Sequence, residues 1–101
     1  MLLLGIDVGT SSIKVSVVDA ATAQCIAAAQ HPEKETPITA RQPGWAEQSP
    51  QMWWDHVQQA IQKVTAQNKF NAKDIGAIGI AYQMHGLVTV DGEGSALRDA
   101  I

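Results

Sequence analysis

GIDVGTSSIK at residues 5–14 is the stretch that decides the fold of this chain. An apolar run over residues 2–6 leads into it, and its last part begins an alternating pattern of Ile13, Val15 and Val17. Alternation with a period of two is typical of a half-buried β-strand. The sequence therefore predicts two strands joined by a short turn of small, hydroxylated and acidic residues.

The turn between these strands has the chemistry of a phosphate-binding site. Gly9 allows a ligand to approach the backbone, and the hydroxyls of Thr10, Ser11 and Ser12 add donors to the amide N–H groups. Asp7 would repel a phosphate unless a cation such as Mg²⁺, held partly through water, lies between them. The turn is thus predicted to be a nucleotide-phosphate and metal site. The alternative is a turn that only reverses the chain, as most such segments do.

Two familiar phosphate loops are excluded by the spacing of the glycines. The sequence has no Gly-x-x-x-x-Gly-Lys-Ser/Thr and no Gly-x-Gly-x-x-Gly that opens a helix. Because a strand and not a helix follows the turn, a helix N-terminus cannot supply the anion site. Binding would fall to backbone amides, hydroxyls and a metal ion.

The segment 5–14 resembles the first phosphate motif of the actin-like ATPase and sugar-kinase superfamily, and it looks most like the FGGY carbohydrate kinases. The resemblance implies that Asp7 lies near Mg²⁺ and the transferred phosphoryl group. It also implies that Gly9 and residues 10–12 line the phosphates of ATP, and that Lys14 adds a positive charge nearby.

Composition limits the classes of partner. The chain has 101 residues, of which 46% are hydrophobic and 17% charged, as in a single globular domain. Its net charge of −3 and lack of a basic run argue against nucleic acid or an anionic membrane as partner. The leucine run at residues 2–4 is too short for a signal peptide, and no stretch approaches the ~20 apolar residues of a membrane span.

The single cysteine, Cys25, excludes an intrachain disulfide and is consistent with a reducing cytoplasm. Because it lies in an apolar, strand-like run, we expect it to be a small buried hydrophobe. His31 opens a proline-rich stretch over residues 31–44, which is predicted to be an exposed connection with His31 in solvent.

The order of elements follows from periodicity and turn residues. The first three strands are predicted to be antiparallel because their connections are short. A helix begins with Ser49 as N-cap and Pro50 in its first turn, and a crossover from it would make the next, buried strand parallel to the first. The predicted strands cover residues 2–8, 13–19, 24–30, 75–82 and 87–90, the helix covers residues 50–67, and a turn covers residues 91–94.

The helix carries one apolar stripe, predicted to face the core, with Trp54 at its edge. We expect the first of the two adjacent tryptophans to be a core residue and not a ligand contact. The stripe consists of Trp53, Val57, Ala60, Ile61 and Val64.

A second polar cluster, Gln83-Met84-His85-Gly86, follows the predicted strand 75–82. In open α/β sheets, ligands gather beyond the carboxyl ends of parallel strands, so this cluster and Asp7 would share one rim. Gln and His both donate and accept hydrogen bonds, which suits the recognition of sugar hydroxyls. The alternative is a structural histidine with a hydrogen-bonded ring.

Two further stretches strengthen the family resemblance. GWAEQSPQMWW at residues 44–54 is similar to a stretch that precedes the first long helix of FGGY kinases, where Trp45 would border the sugar pocket. Gln83-Met84-His85-Gly86 looks like the xylulokinase branch of that family. By that match, Met84 and His85 would contact a ketopentose, Gln83 would support the loop, and Gly86 would permit a close approach.

The resemblance implies a partial ribonuclease-H-like, actin-like α/β fold, with residues 1–101 as the N-terminal part of the first sugar-kinase domain. The complete enzyme would use ATP and Mg²⁺ to convert D-xylulose to D-xylulose 5-phosphate in the cytoplasm, with a homodimer as one option. The general base and adenine pocket would lie after residue 101, so these residues alone are expected to be inactive. Three alternatives stay open: an FGGY kinase for another sugar or polyol, a non-catalytic nucleotide-binding module, and a structural domain.

Overall fold

The computed structural model describes residues 1–9, 12–34, 46–82 and 86–101. Three strands come first along the chain, followed by one long helix, a short 3₁₀ turn and a fourth strand. Their bounds are β1 Leu2–Val8, β2 Ile13–Asp19, β3 Cys25–His31, α1 Pro50–Ala66, the 3₁₀ turn Ala72–Asp74 and β4 Ile75–Ala81. The predicted bounds of β1 and β2 are confirmed, and those of β3, α1 and β4 are correct to within one residue.

The four strands form one mixed sheet in the order β3-β2-β1-β4. β1 pairs antiparallel with β2, and β2 pairs antiparallel with β3. β4 returns beside β1 in the parallel sense, with Leu4 opposite Ile78 and Asp7 opposite Ala81. A crossover through α1 makes this parallel return possible. The predicted topology is therefore confirmed, and β1 is an interior strand.

The core lies on one face of the sheet, between the antiparallel strands and α1. Alternate residues of each strand point toward the helix, as the period-two pattern predicts. The buried apolar residues are Leu4, Ile6, Ile13, Val15, Val17, Ala27, Val57, Ala60 and Val64.

Local capping and two long-range hydrogen bonds fix α1 in place. The Ser49 hydroxyl accepts a hydrogen bond from the Met52 backbone N–H at 3.3 Å, which confirms the predicted N-cap. Near the other end, Lys63 Nζ and Gln67 Nε2 donate to backbone carbonyls of β3 at 3.0 and 2.8 Å. The helix therefore lies over the β2 and β3 side of the sheet. No helix in the described ranges is long and apolar enough to cross a membrane.

The prediction that β4 is buried is wrong. Ile78 and Ile80 stand opposite the core residues Leu4 and Ile6, yet they are 60% and 61% exposed. β4 is an edge strand of the described sheet, and α1 packs on the same face but over β2 and β3, toward the other edge. No other element of the described residues covers these two side chains, so an apolar sequence alone did not determine burial.

Two further expectations about single residues are wrong. Cys25 is exposed, because it starts the other edge strand, β3. His31 is half-buried and not fully solvated, because it ends β3 and its ring meets His56 of α1 edge-on, with ring centroids 5.0 Å apart.

The predicted strand 87–90 is also wrong. In the described part of the chain, only Val90 of this stretch forms a bridge, with Ala96. The predicted turn that follows is confirmed, since the Gly94 N–H donates to the Asp91 carbonyl at 3.1 Å. Gly94 has a φ of +85°, a conformation that glycine adopts without strain. The turn therefore forms without a regular strand before it.

Candidate active site

The carboxyl ends of β1 and β4 lie side by side at one rim of the sheet. Asp7 is paired with Ala81 of β4 in the parallel register and with Lys14 of β2 in the antiparallel register. Asp7 and Lys14 are both exposed, on the face opposite α1. The rim therefore presents one carboxylate and one ammonium group on neighbouring strands.

The turn after β1 is tight. The Gly9 N–H donates to the Ser12 carbonyl at 3.1 Å, and a Cβ atom at Gly9 would lie 2.9 Å from the same oxygen. Only glycine fits there without a shift of the backbone. The Gly9 N–H is engaged within the turn, and Ser12 is only 9% exposed, so both offer little to a ligand. Contacts to a phosphate would therefore depend mainly on other groups of the turn. Thr10 and Ser11 lie outside the described residues.

A cavity of about 210 Å³ opens at the same rim. Drug-sized ligands occupy pockets of about 300–1,000 Å³, so this space suits a smaller molecule. Its described lining combines the end of β1, the residue after β4, the start of α1 and the segment after residue 85. The lining residues are Val8, Trp53, Tyr82, Gly86 and Val88.

Only part of the predicted sugar cluster can be placed. Gly86 lines the cavity. Gln83, Met84 and His85 lie outside the described residues, between Tyr82 and Gly86, and so does Trp45.

Sequence reasoning missed Trp53 and Gln48. Trp53 was expected in the core, but it is half-buried and forms part of the cavity wall. Its indole Nε1–H donates to Gln48 Oε1 at 3.0 Å. A buried indole needs an acceptor for its N–H, and a glutamine five positions earlier was the available signal.

The segment that holds Gln48 is tied to the end of the chain. Glu47 is 2% exposed and pairs with Arg98. Gln48 and Ala100 exchange two backbone hydrogen bonds of 3.1 and 2.7 Å. Leu87 and Ile101 exchange two more, both of 3.1 Å. The last residues therefore join the segment before α1 to the segment that contains the cavity residues Gly86 and Val88.

The donor set fits a water-held Mg²⁺ and not a closed protein cage. Among the residues that the structure describes, no three His, Cys, Asp or Glu side chains gather in one place. Mg²⁺ commonly keeps several waters and binds one or two carboxylates together with substrate phosphates. An exposed Asp7 beside a tight turn matches that mode of binding.

Comparison with known proteins agrees with this geometry. A sequence profile described as the FGGY family of carbohydrate kinases, N-terminal domain, matches residues 2–101. The xylulose kinase of Streptomyces coelicolor is 36% identical over 100 residues, which cover 99% of this chain and 19% of that relative. The chain thus spans about a fifth of the length of this relative.

Solved structures share the fold. The crystal structure of a xyloylose kinase from Brucella ovis matches with a TM-score of 0.87 and 34% identity, over 100% of this chain and 20% of that one. A gluconate kinase from Lactobacillus acidophilus matches with a TM-score of 0.82 and 29% identity, over 99% and 19% of the two chains. These matches confirm the expected actin-like fold class. The rim, the profile and these neighbours agree, and the chain belongs to the FGGY family of carbohydrate kinases.

Proposed function

We propose that these residues are the N-terminal part of the first domain of an ATP-dependent sugar kinase. The proposed reaction of the complete enzyme is the conversion of D-xylulose to D-xylulose 5-phosphate. Support comes from the 36% identity to a xylulose kinase over nearly the whole chain. The gluconate kinase at 29% identity makes another sugar or polyol the second candidate.

The observation that carries this proposal is the shared rim of β1 and β4. The parallel register sets Asp7 against Ala81, and the cavity lies beside them with Val8 and Tyr82 in its wall. A phosphoryl transfer needs the phosphate and the acceptor hydroxyl to meet in one place, because positioning and charge neutralisation supply most of the catalysis. The end of β1 supplies Asp7 to one face of this rim and Val8 to the cavity on the other face, so both halves of the proposed site lie at the end of one strand.

The phosphate side of the site is assigned to the turn after β1. Residues Gly9, Thr10, Ser11 and Ser12 would surround the phosphates of ATP, with Lys14 adding positive charge. Asp7 would hold Mg²⁺ through water, and the bound ion would supply neutralisation of phosphate charge. Asp7 itself would fix where the ion sits relative to the turn.

The acceptor side is assigned to Gln83, Met84, His85 and Gly86. Met84 and His85 would contact the sugar, Gln83 would support their loop, and Gly86 would let the ligand approach the backbone. The general base and the adenine pocket are assigned to parts of the complete enzyme other than these 101 residues, so we expect these residues alone not to phosphorylate a sugar. The net charge of −3 and the small cavity fit a small-molecule substrate and give no reason to expect nucleic-acid or membrane partners. The single cysteine is consistent with the proposed cytoplasmic location.

A chimera tests the proposed function. Residues 1–101 replace the matching residues of the Streptomyces coelicolor xylulose kinase, and ATP consumption is measured with D-xylulose, D-ribulose, glycerol and gluconate. We expect the highest kcat/KM with D-xylulose. Asp7→Asn should lower kcat by about a hundredfold or more, the effect of removing one preorganised charge-stabilising group.

Glu93→Gln is the matched control, because it also neutralises one exposed carboxylate, but in the turn at residues 91–94. It should leave kcat within about twofold, as expected for a surface substitution away from the site. A chimera that prefers gluconate would favour the second candidate. Full activity of Asp7→Asn would contradict the role given to the rim.

A further inference from the structure

One wall of the cavity contains an indole ring that is held by a side-chain hydrogen bond. Trp53 lies in the first turn of α1, where its indole faces the cavity, and its Nε1–H donates to Gln48 Oε1 at 3.0 Å. An indole N–H is only a donor, so the amide oxygen of Gln48 must be the atom that faces it. This bond therefore fixes both the ring and the orientation of the amide.

Gln48 is held more firmly than an ordinary loop residue. It is 6% exposed and is paired through its backbone with Ala100. The preceding residue, Glu47, is buried and pairs with Arg98. Ser49, the next residue, caps α1. Two of these three consecutive residues are thus anchored to the end of the chain and the third to α1, which leaves Gln48 little freedom to follow a moving indole.

We propose that Gln48 is a positioning residue for the ligand cavity, acting through Trp53. The held indole offers a flat apolar surface beside Val8 and Val88, which suits the C–H face of a neutral ketose or polyol. This inference rests on the proposed function for the identity of the ligand. The link between Gln48 and the indole does not depend on it.

The test uses the 101-residue chain labelled with ¹⁵N at tryptophan and glycine. Gln48→Met keeps the length of the side chain and removes the amide acceptor. Gln51→Met is the matched control, because Gln51 is an exposed residue near the start of α1 whose Nε2 donates to Asp55 Oδ1 at 3.0 Å. Trp53→Phe identifies the indole resonance and keeps an aromatic ring in the wall.

Two readouts separate the inference from a general loss of stability. We expect Gln48→Met to speed hydrogen exchange at Trp53 Nε1 by about fivefold, the size expected of one neutral hydrogen bond. The concentration of D-xylulose needed to shift the Trp53 resonance should rise by a similar factor. Gln51→Met should leave both unchanged. In the Trp53→Phe background, where sugar binding is followed at the Gly86 amide, Gln48→Met should add no further loss of sugar affinity.

The failures are distinguishable. Unchanged sugar affinity in Gln48→Met, or unchanged indole exchange, would overturn the positioning role alone. A wild-type chain in which D-xylulose shifts neither Trp53 nor Gly86 would overturn the proposed ligand, and with it the sugar part of this inference. An equal loss of affinity in Gln51→Met would show that Gln48 acts only through stability of the helix, and would also overturn the role.

Discussion

At the scale of single residues, the turn after β1 leaves no room for a side chain at Gly9. A Cβ atom there would lie 2.9 Å from the Ser12 carbonyl oxygen, which belongs to the backbone and cannot rotate away. Gly9→Ala should therefore lower the free energy of unfolding by about 1–3 kcal/mol, the usual cost of overpacking. Urea unfolding followed by tryptophan fluorescence measures it.

Gly79→Ala is the control for that substitution. Gly79 lies in β4, and an added Cβ atom would meet nothing within 4 Å. Since alanine loses less chain entropy than glycine on folding, Gly79→Ala should be neutral or slightly stabilising. Equal destabilisation by the two variants would show that the close approach at Gly9 is not the cause.

At the scale of elements, the contact between β3 and α1 contains a titratable group. The pKa of His31 lies below its ordinary value of about 6.5, first because of burial and then because of Lys63 and His56, while Glu33 acts in the opposite direction. Its Nδ1 atom is buried and has no hydrogen-bond partner among the described residues. The folded chain therefore favours the neutral ring.

This shift predicts a stability that falls in acid. Between the lowered pKa of the folded state and about 6.5, the unfolded chain binds more protons, so the free energy of unfolding decreases as the pH falls. The contribution of neutral His31 to the free energy of unfolding is fully present above about pH 6.5. It is lost as the pH drops toward the pKa of His31 in the folded state. Urea unfolding from about pH 7.5 to about pH 5.5 measures the slope around the ordinary histidine pKa.

His31→Gln should flatten the dependence of the free energy of unfolding on pH, because glutamine does not titrate. His56→Gln should keep most of it, since burial of His31 is the larger cause. A wild-type chain with constant stability over this range would contradict the predicted linkage.

The elements also show what the sequence could predict. The bounds of β1 and β2 followed from alternation and turn residues, which act within a few positions of each other. The burial of β4 did not follow, because it depends on which side of the sheet α1 covers. Trp53 was placed in the core for its spacing, although its N–H needed a polar partner, which Gln48 five positions earlier supplies.

At the scale of the whole molecule, β4 leaves an apolar edge. Ile78 and Ile80 are exposed on the face that α1 covers elsewhere, and β4 has a described strand neighbour on one side only. Exposed edge strands with apolar faces tend to pair between copies. The 101-residue chain should therefore associate as its concentration rises, which sedimentation velocity detects.

Ile80→Lys should suppress this association while leaving the unfolding midpoint nearly unchanged, because the side chain is already exposed and lysine protects edges. Leu97→Lys, at another exposed apolar side chain outside the sheet, is the control and should associate like the wild type. A strictly monomeric wild type at all concentrations would rule out the edge as an association surface.

The parallel pairing of Asp7 with Ala81 has a consequence for folding kinetics. The β1–β3 meander can close early, because its loops are short, whereas β4 joins β1 only after a much longer loop closes. The cavity takes residues from both sides of that closure. A ligand that binds there can stabilise only the chain in which β4 has docked, by mass action. A bound ligand should slow unfolding without speeding formation of the β1–β3 meander. The effect of the ligand on the unfolding rate would therefore measure the docking of β4 against β1.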